Sequence, residues 1–353
     1  MTATLLEVLR APDRLGRLGP ADWDELLRLA RHHRLLGRLA AELAAHGAEG
    51  SHPVVLDVLA AARRRAAAEQ TRMRFEIDRL GRALAPLPGP RVLMKGGAYL
   101  LAGLPPARGR ISSDVDVLLP RDQLAEAERL LRRSGWDPVY EDAYTQHYYR
   151  DWMHELPPLR HRHRHAYVDL HHTILPLTHR FRPDGAALIA AAVPIGDSGW
   201  SMLAPADMVL NVVAHLFADG DFADALREVV DLHDLLTAFG REPGFWDELA
   251  RRAELHGLAR PLGDALWVTR ALLETPMPPQ PWAPRPVRRL MLAALTPRPP
   301  GDASAALRAV RLALYMRSHW LRMPPVMLAR HLAIKAWRRL RPAQPLAASR
   351  DST

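Results

Sequence analysis

Apolar residues recur at helical spacing from Pro20 to Gly47 (Leu26, Leu27, Leu29, Ala30, Leu35, Leu36, Leu39, Ala40, Leu43), and Asp22 stands where a cap belongs. The spacing predicts helix there, and a second such run covers Val54 to Ala85. The helical region they form is closed at Pro86–Pro90, a Pro-Leu-Pro-Gly-Pro break that no regular element continues through. Beyond it the texture changes to short apolar or β-branched runs separated by glycine, proline and helical stretches. Arg91–Lys95, Ile111–Leu119, Trp136–Tyr140, Gln146–Arg150 and Ala166–Ile174 read as strands. Ala98–Gly103 reads as a short helix, and Asp122 caps another that runs to Arg133 and ends at Gly135. Helical periodicity returns from Ala204, through Asn211–Phe217, Asp224–Phe239 and Phe245–His256, then from Val287, and again over Ser304–Arg341 with an interruption at Pro324 and Pro325.

The pattern predicts an α+β protein: a small mixed β-sheet core flanked by N-terminal and C-terminal helical regions. Its divisions fall at 1–88 (helical), 89–200 (the core), 201–275 (helices packed on the core), 276–286 (a proline-rich linker), 287–342 (basic helices) and 343–353 (a disordered tail). A length of 353 residues is ample for more than one domain, and 48% hydrophobic with 25% charged residues is ordinary for a globular chain.

Charge and cysteine narrow the chemistry. With no cysteine there is no disulfide, thiolate metal site or cysteine nucleophile, so any metal is held by Asp, Glu or His. The net charge of +9 is concentrated beyond Arg285. There the amphipathic stretch Val326–Leu340, with Arg330, Lys335, Arg338 and Arg339 outside its apolar stripe, suits an acidic partner or a membrane surface, or packs on its own domain. Met1–Leu9 lacks a basic lead and a long apolar run, and no apolar stretch approaches the ~18 residues that span a bilayer, so the expectation is a cytoplasmic protein with no transmembrane segment.

In the strand Ile111–Leu119 side chains alternate, which puts Asp114 and Asp116 on one face and Val115 and Val117 on the other. Two carboxylates side by side on such a strand either lie in solvent or are compensated by a cation, for which Mg²⁺ fits an all-oxygen donor set. Upstream, Val92–Ala98 reads as strand, diglycine turn and helix start, either a plain turn or a place for backbone N–H groups to meet phosphate oxygens. Lys95 and Lys335 are the sole lysines in a chain with 48 lysines and arginines. A lysine beside the turn therefore suits a compact charge against phosphate or carboxylate. In Ala166–His171, Val168 and Leu170 point one way and Tyr167, Asp169 and His171 the other. Asp169 would complete a three-carboxylate cluster able to hold two metal ions about 4 Å apart.

The succession Lys95-Gly96-Gly97, Arg110-Ile111-Ser112-Ser113-Asp114-Val115-Asp116-Val117-Leu118 and Val168-Asp169-Leu170-His171 resembles the uncharacterised bacterial nucleotidyltransferase-like family of the DNA polymerase β superfamily. Leu203–Asp207, His215 and Asp231–Leu236 are similar to the helical segment that follows the core in that family. The resemblance implies a nucleoside triphosphate cradled by Lys95, Gly96 and Gly97 and touched by Arg110 and Ser113, with Gly97 standing where a serine is common. It implies two Mg²⁺ ions on Asp114 and Asp116, with Asp169 on the catalytic one and helping to deprotonate the acceptor. The expected reaction moves a nucleoside monophosphate to a hydroxyl of a peptide, protein or small molecule, favoured over RNA because no aromatic RNA-reading strand is present, and releases pyrophosphate. The alternative is an inactive relative that serves as a binding or regulatory partner.

Histidines cluster at His161, His163, His165, His171, His172 and His179. A strand continued back from Asp169 would set His161, His163, His165 and His171 on one polar face, as a zinc site, a row facing phosphate or acceptor, or an ordinary exposed strand. His215, Asp231 and Asp234 sit among apolar helix positions and read as hydrogen-bonding groups that fix those helices to the sheet.

Overall fold

Seven short strands form one mixed sheet: β1 (Val92–Leu93), β2 (Asp114–Leu118), β3 (Trp136–Pro138), β4 (Leu159–His161), β5 (Tyr167–His171), β6 (Val193–Pro194) and β7 (Ser201–Met202). Their order is β3-β4-β5-β2-β1-β7-β6, with β2/β5 and β1/β7 parallel and the other pairs antiparallel. The computed structural model describes residues 3–47, 52–220, 222, 225–279, 285–299, 301 and 304–324. The expected basic helix Val326–Leu340 and the tail 343–353 lie outside the described residues, as do residues 280–284 of the proline-rich segment; Pro286 itself opens the helix Pro286–Leu295.

Each face of the sheet has its own apolar core. On one face Leu93, Val115, Val117, Val168 and Leu170 meet Ile77, Leu80 and Leu84 of the long Pro53–Ala83 helix and its end, with Ala127 and Leu131 of the helix Leu124–Arg133. On the other face Val92, Met94 and Leu118 join a larger core built from the N-terminal helices and from Pro205–Val213, Leu226–Phe239 and Ala259–Leu273. The architecture is α+β, a mixed sheet with helical flanks on both sides in sequence.

The N-terminal periodic run is two helices, Pro20–His32 and Leu36–His46. Between them Arg34 takes a left-handed conformation (φ 59°), and Leu35 N–H reaches back to Ala30 C=O at 2.7 Å. That bond is the outer one of a helix-ending turn that usually takes glycine. Neither Gly nor Pro marks the break, so periodicity runs straight across it. Gly37, just beyond, is pressed against Gly109: a Cβ on either would lie about 2 Å from the other's backbone. This contact ties the N-terminal helices to the loop that leads into β2.

Two expected elements differ. Gln146–Arg150 is helical, not a strand: Asp142 Oδ1 accepts from Thr145 N–H at 3.0 Å and starts Ala143–His147, which continues as a wide turn, Tyr148–Trp152. A local cap outweighs the strand preference of adjacent tyrosines. The helix after β1 starts at Lys95, where a strand was expected, and covers Lys95–Leu101. Strands β4, β6 and β7 carry no sequence signal, being two or three residues long.

Candidate active site

The parallel register of β2 and β5 sets Asp116 opposite Asp169, Asp114 opposite Tyr167 and Leu118 opposite His171. Residues opposite each other in a sheet share a face. Asp114, Asp116, Asp169 and His171 therefore project together, away from the core that takes Val115, Val117, Val168 and Leu170. Asp116 is buried, and its Oδ1 accepts from Lys95 Nζ at 3.0 Å and faces His171 Nε2 at 2.9 Å. Burial alone would raise its pKa, but Lys95 and His171 hold it well below the usual carboxylate range. Asp169 is the reverse case. Burial, then the charge of Asp116, with Glu155 and Asp114 adding to it, pushes its carboxyl up to about 7. Its Oδ1 is buried and has no hydrogen-bond partner among the described residues.

Lys95 reaches Asp116 from a left-handed backbone (φ 45°), a strain of about 1–3 kcal/mol that sites of this kind commonly store. Gly96 follows because nothing larger fits: a Cβ there would lie 2.1 Å from Ser112 Oγ and 3.3 Å from Arg110 Nε. Gly97 faces elsewhere, with Leu93, Ile77 and Val115 around the place of its missing Cβ. Arg110 donates to Asp231 and, through Nε, to Ser112 Oγ at 3.2 Å, so its charge is already paired. Ser113 Oγ stands 3.4 Å from Asp114 Oδ1.

These groups open into a cleft of about 830 Å³. Lys95, Gly96, Arg110, Ser112, Ser113, Asp114 and Asp116 line its sheet side; Gly97 and Asp169 are not part of the lining. The helical side adds Arg31, Arg34, Arg65 and Arg227, which the sequence reading missed. Arg31, Arg34 and Arg65 are exposed, while Arg227 Nη1 donates to Ile111 C=O at 3.1 Å. Burial and then the nearby Arg110 lower the pKa of Arg227, a mark of crowded positive charge. His215 and Asp231 also line the cleft, His215 with Glu228 at 3.5 Å. Asp234 instead binds Arg38, with Nη2 to Oδ1 at 3.0 Å, and so fastens Leu226–Phe239 to the N-terminal helices.

Two acids on one strand, a third in register beside them and a basic cleft above them form the arrangement on which the sequence profile of a family described as uncharacterised nucleotidyltransferase falls, over residues 19–274. The chain belongs to that family. No curated protein and no solved structure gives a significant match. The matched span takes in every arginine of the cleft wall as well as the three aspartates, so this nucleotidyltransferase carries its whole candidate site inside the family region.

A nucleotidyltransferase of this kind implies a divalent cation, and the residues fit one. Asp114, Asp116 and Asp169 share a face, and Asp169 Oδ1 is a buried acceptor that meets no donor among the described residues. The expected histidine row is not assembled. β4 and β5 form an antiparallel pair joined through residues 162–166, so His163 and His165 lie in the connection, not on one strand face. His161 packs edge-on against Trp136 and contacts Arg164 at 2.6 Å. A different group comes together instead. Among the described residues, His154, Glu155 and His171 are the set whose ligand atoms all lie within 4.8 Å of one another. His154, partly buried, has its pKa lowered well below the usual histidine range by burial and then by His171. His171 is raised, against burial, by its bond to Asp116 and by Glu155. Among the described residues no helix is long and apolar enough to cross a membrane.

Proposed function

We propose that this nucleotidyltransferase moves a nucleoside monophosphate from a nucleoside triphosphate to an acceptor hydroxyl, with Mg²⁺ on Asp114, Asp116 and Asp169. The single observation that carries the reading is the register that pairs Asp116 with Asp169 on a face opening into an arginine-walled cleft. The acceptor oxygen attacks the α-phosphorus in line, the bond to the β-phosphate bridging oxygen breaks, and pyrophosphate leaves. When bound, the cations polarise the α-phosphate and neutralise the departing pyrophosphate.

The chain's own groups do the rest. Arg31, Arg34, Arg65 and Arg227 set positive charge against the triphosphate, where bidentate guanidinium pairing is strongest. Asp169 would hold the catalytic ion and help to deprotonate the acceptor hydroxyl beside it. Lys95 compensates Asp116 and keeps it ionised and aimed into the cleft. Gly96 leaves room for Ser112 and Arg110 at the cleft wall. A peptide, protein or small-molecule hydroxyl is the acceptor this reading favours.

The test is incubation with each of the common triphosphates labelled at the α-phosphate, with Mg²⁺ and a cell lysate as the acceptor source. Transfer from the α-labelled but not the γ-labelled nucleotide, lost in folded Asp114→Asn and Asp169→Asn proteins, is the expected result. Absence of transfer with every triphosphate overturns it.

A further inference from the structure

The group His154, Glu155 and His171 adjoins Asp116 through His171 Nε2, and its geometry does not match a set of ordinary hydrogen bonds. Glu155 Oε2 stands 3.3 Å from His171 Nδ1 and 3.7 Å from His154 Nε2. His171 Nδ1 is buried without a hydrogen-bond partner among the described residues, on a side chain that is 3% exposed. A tetrahedral ion with bonds of about 2.1 Å holds its ligand atoms about 3.4 Å apart, and both separations are close to that spacing. The two rings are tilted toward each other, with centroids 5.3 Å apart.

The backbone presents these groups rigidly. Glu155 forms a bridge to His171, Leu156 N–H bonds Leu170 C=O at 2.9 Å, and His172 N–H bonds His154 C=O at 2.9 Å. The segment 154–156 is thus laced to β5. Little side-chain ordering remains to be done when a ligand arrives, which favours binding.

We propose that His154, Glu155 and His171 bind one borderline transition-metal dication, with Zn²⁺ the ion of best fit, at a site distinct from that of the three aspartates. Two imidazoles and one carboxylate with an open position is a donor set for zinc, whereas Mg²⁺ selects oxygen. His171 would bind through Nδ1 and donate its Nε2–H to Asp116 Oδ1, the carboxylate–histidine–metal relay that fixes a ligand's tautomer and orientation. Through that bond an ion here sets the position of Asp116. The inference stands on the geometry of this cluster and does not require the proposed transfer reaction.

The competing arrangement is a protonated His171 shared by Asp116 and Glu155, with no metal. Titration of the full chain with Zn²⁺ against a competing chelating indicator, with bound metal counted after dialysis, separates the two. One Zn²⁺ per chain is expected in the wild type and in Asp114→Asn. In Glu155→Gln and in His154→Ala, each checked for folding by circular dichroism, affinity should fall by more than the about 10–100-fold seen for outer-shell changes. No bound zinc in the wild type, or zinc that survives both cluster variants and is lost in Asp114→Asn, overturns the proposal. Because the readout is metal content, it is independent of whether the α-label transfer succeeds.

Discussion

Asp116 and Asp169 face each other across parallel strands yet sit at opposite ends of the carboxylate range, one held ionised by Lys95 and His171, the other pushed up to about 7. The strand pair places both acids, but only one is given a cation by the protein. In metal-free protein the native state therefore keeps a proton on Asp169 that the unfolded chain releases above the ordinary carboxylate pKa. Stability from this group is greatest at about pH 4 and below, and falls as pH rises toward 7, by at most about 4 kcal/mol. Asp169→Asn removes the ionisation. In chelator-treated samples its melting temperature should exceed that of the wild type at pH 8 and approach it at pH 5. A gap that does not change with pH would mean that Asp169 is not raised.

The two glycines at the start of the helix Lys95–Leu101 are unlike. Gly96→Ala drives a methyl group into Ser112, whose Cβ would lie 2.9 Å away and whose Oγ 2.1 Å away. Rotating the hydroxyl relieves only the nearer clash, so the expected cost is about 1–3 kcal/mol, with weaker triphosphate binding as Ser112 and Arg110 shift at the cleft wall. Ser112→Gly in the same chain should restore much of the stability. Gly97→Ala adds a methyl group at 3.6–3.8 Å from Leu93, Ile77 and Val115, an ordinary contact, inside a helix where alanine is preferred by up to about 1 kcal/mol. Denaturant melts of the two single variants should differ in sign or differ by at least about 1 kcal/mol.

How much of this was readable beforehand follows from what each residue depends on. Asp114, Asp116 and Asp169 were legible because strand alternation is local, and Val115, Val117, Val168 and Leu170 mark the buried face in plain sequence. That the two strands are neighbours was supplied by the resemblance, which sets the three acids around the same ions; their parallel register is seen only in the structure. The arginine wall was not legible. Arg31 and Arg65 belong to helices and Arg34 to the break between two of them, elements far from β2 in sequence that meet the cleft through tertiary packing such as Gly37 on Gly109, and in an arginine-rich chain no composition signal distinguishes them. Glu155 was missed because it lies outside any strand with a sequence signature, and His171 was grouped with His161, His163 and His165 by a strand that instead turns at 162–166. The Arg34 break was hidden because the residue there is not the glycine its conformation favours.

Arg34 combines a backbone penalty with an exposed position on the cleft wall, so its substitutions separate stability from binding. A left-handed conformation costs a non-glycine residue about 1–2 kcal/mol, partly offset in glycine by its larger unfolded-state entropy. Arg34→Gly should leave the melting temperature unchanged or raise it. Its affinity for a triphosphate should fall about tenfold, the worth of one charge-assisted hydrogen bond. Arg34→Asn, which tolerates the same conformation, should lose the same affinity. Equal triphosphate affinity in wild type, both variants and an Arg31/Arg34/Arg65 triple alanine variant would remove the helical wall from the site.

Asp207 belongs to the Leu203–Asp207 segment that resembles the family's helical region, yet its work is structural. It is fully buried and accepts from Arg252 Nε at 2.7 Å, with a second bond from the same guanidinium, whose Nη2 also donates to Ala187 C=O at 3.1 Å. His256 completes the enclosure: its Nδ1 faces Asp184 N–H at 3.2 Å as an acceptor, which leaves the proton on Nε2, 3.4 Å from Asp207 Oδ1. This knot joins Pro205–Val213 to Phe245–Leu255 and so supports the layer that carries Asn211 and His215 to the cleft. Asp207→Ala would strand a buried guanidinium and should destabilise the fold by about 3–5 kcal/mol in urea melts. Replacing both partners, Asp207→Leu with Arg252→Met, removes the stranded charge and should recover a large part of that loss. If the double variant is as unstable as Asp207→Ala alone, the penalty lies in packing and not in the unpaired charge.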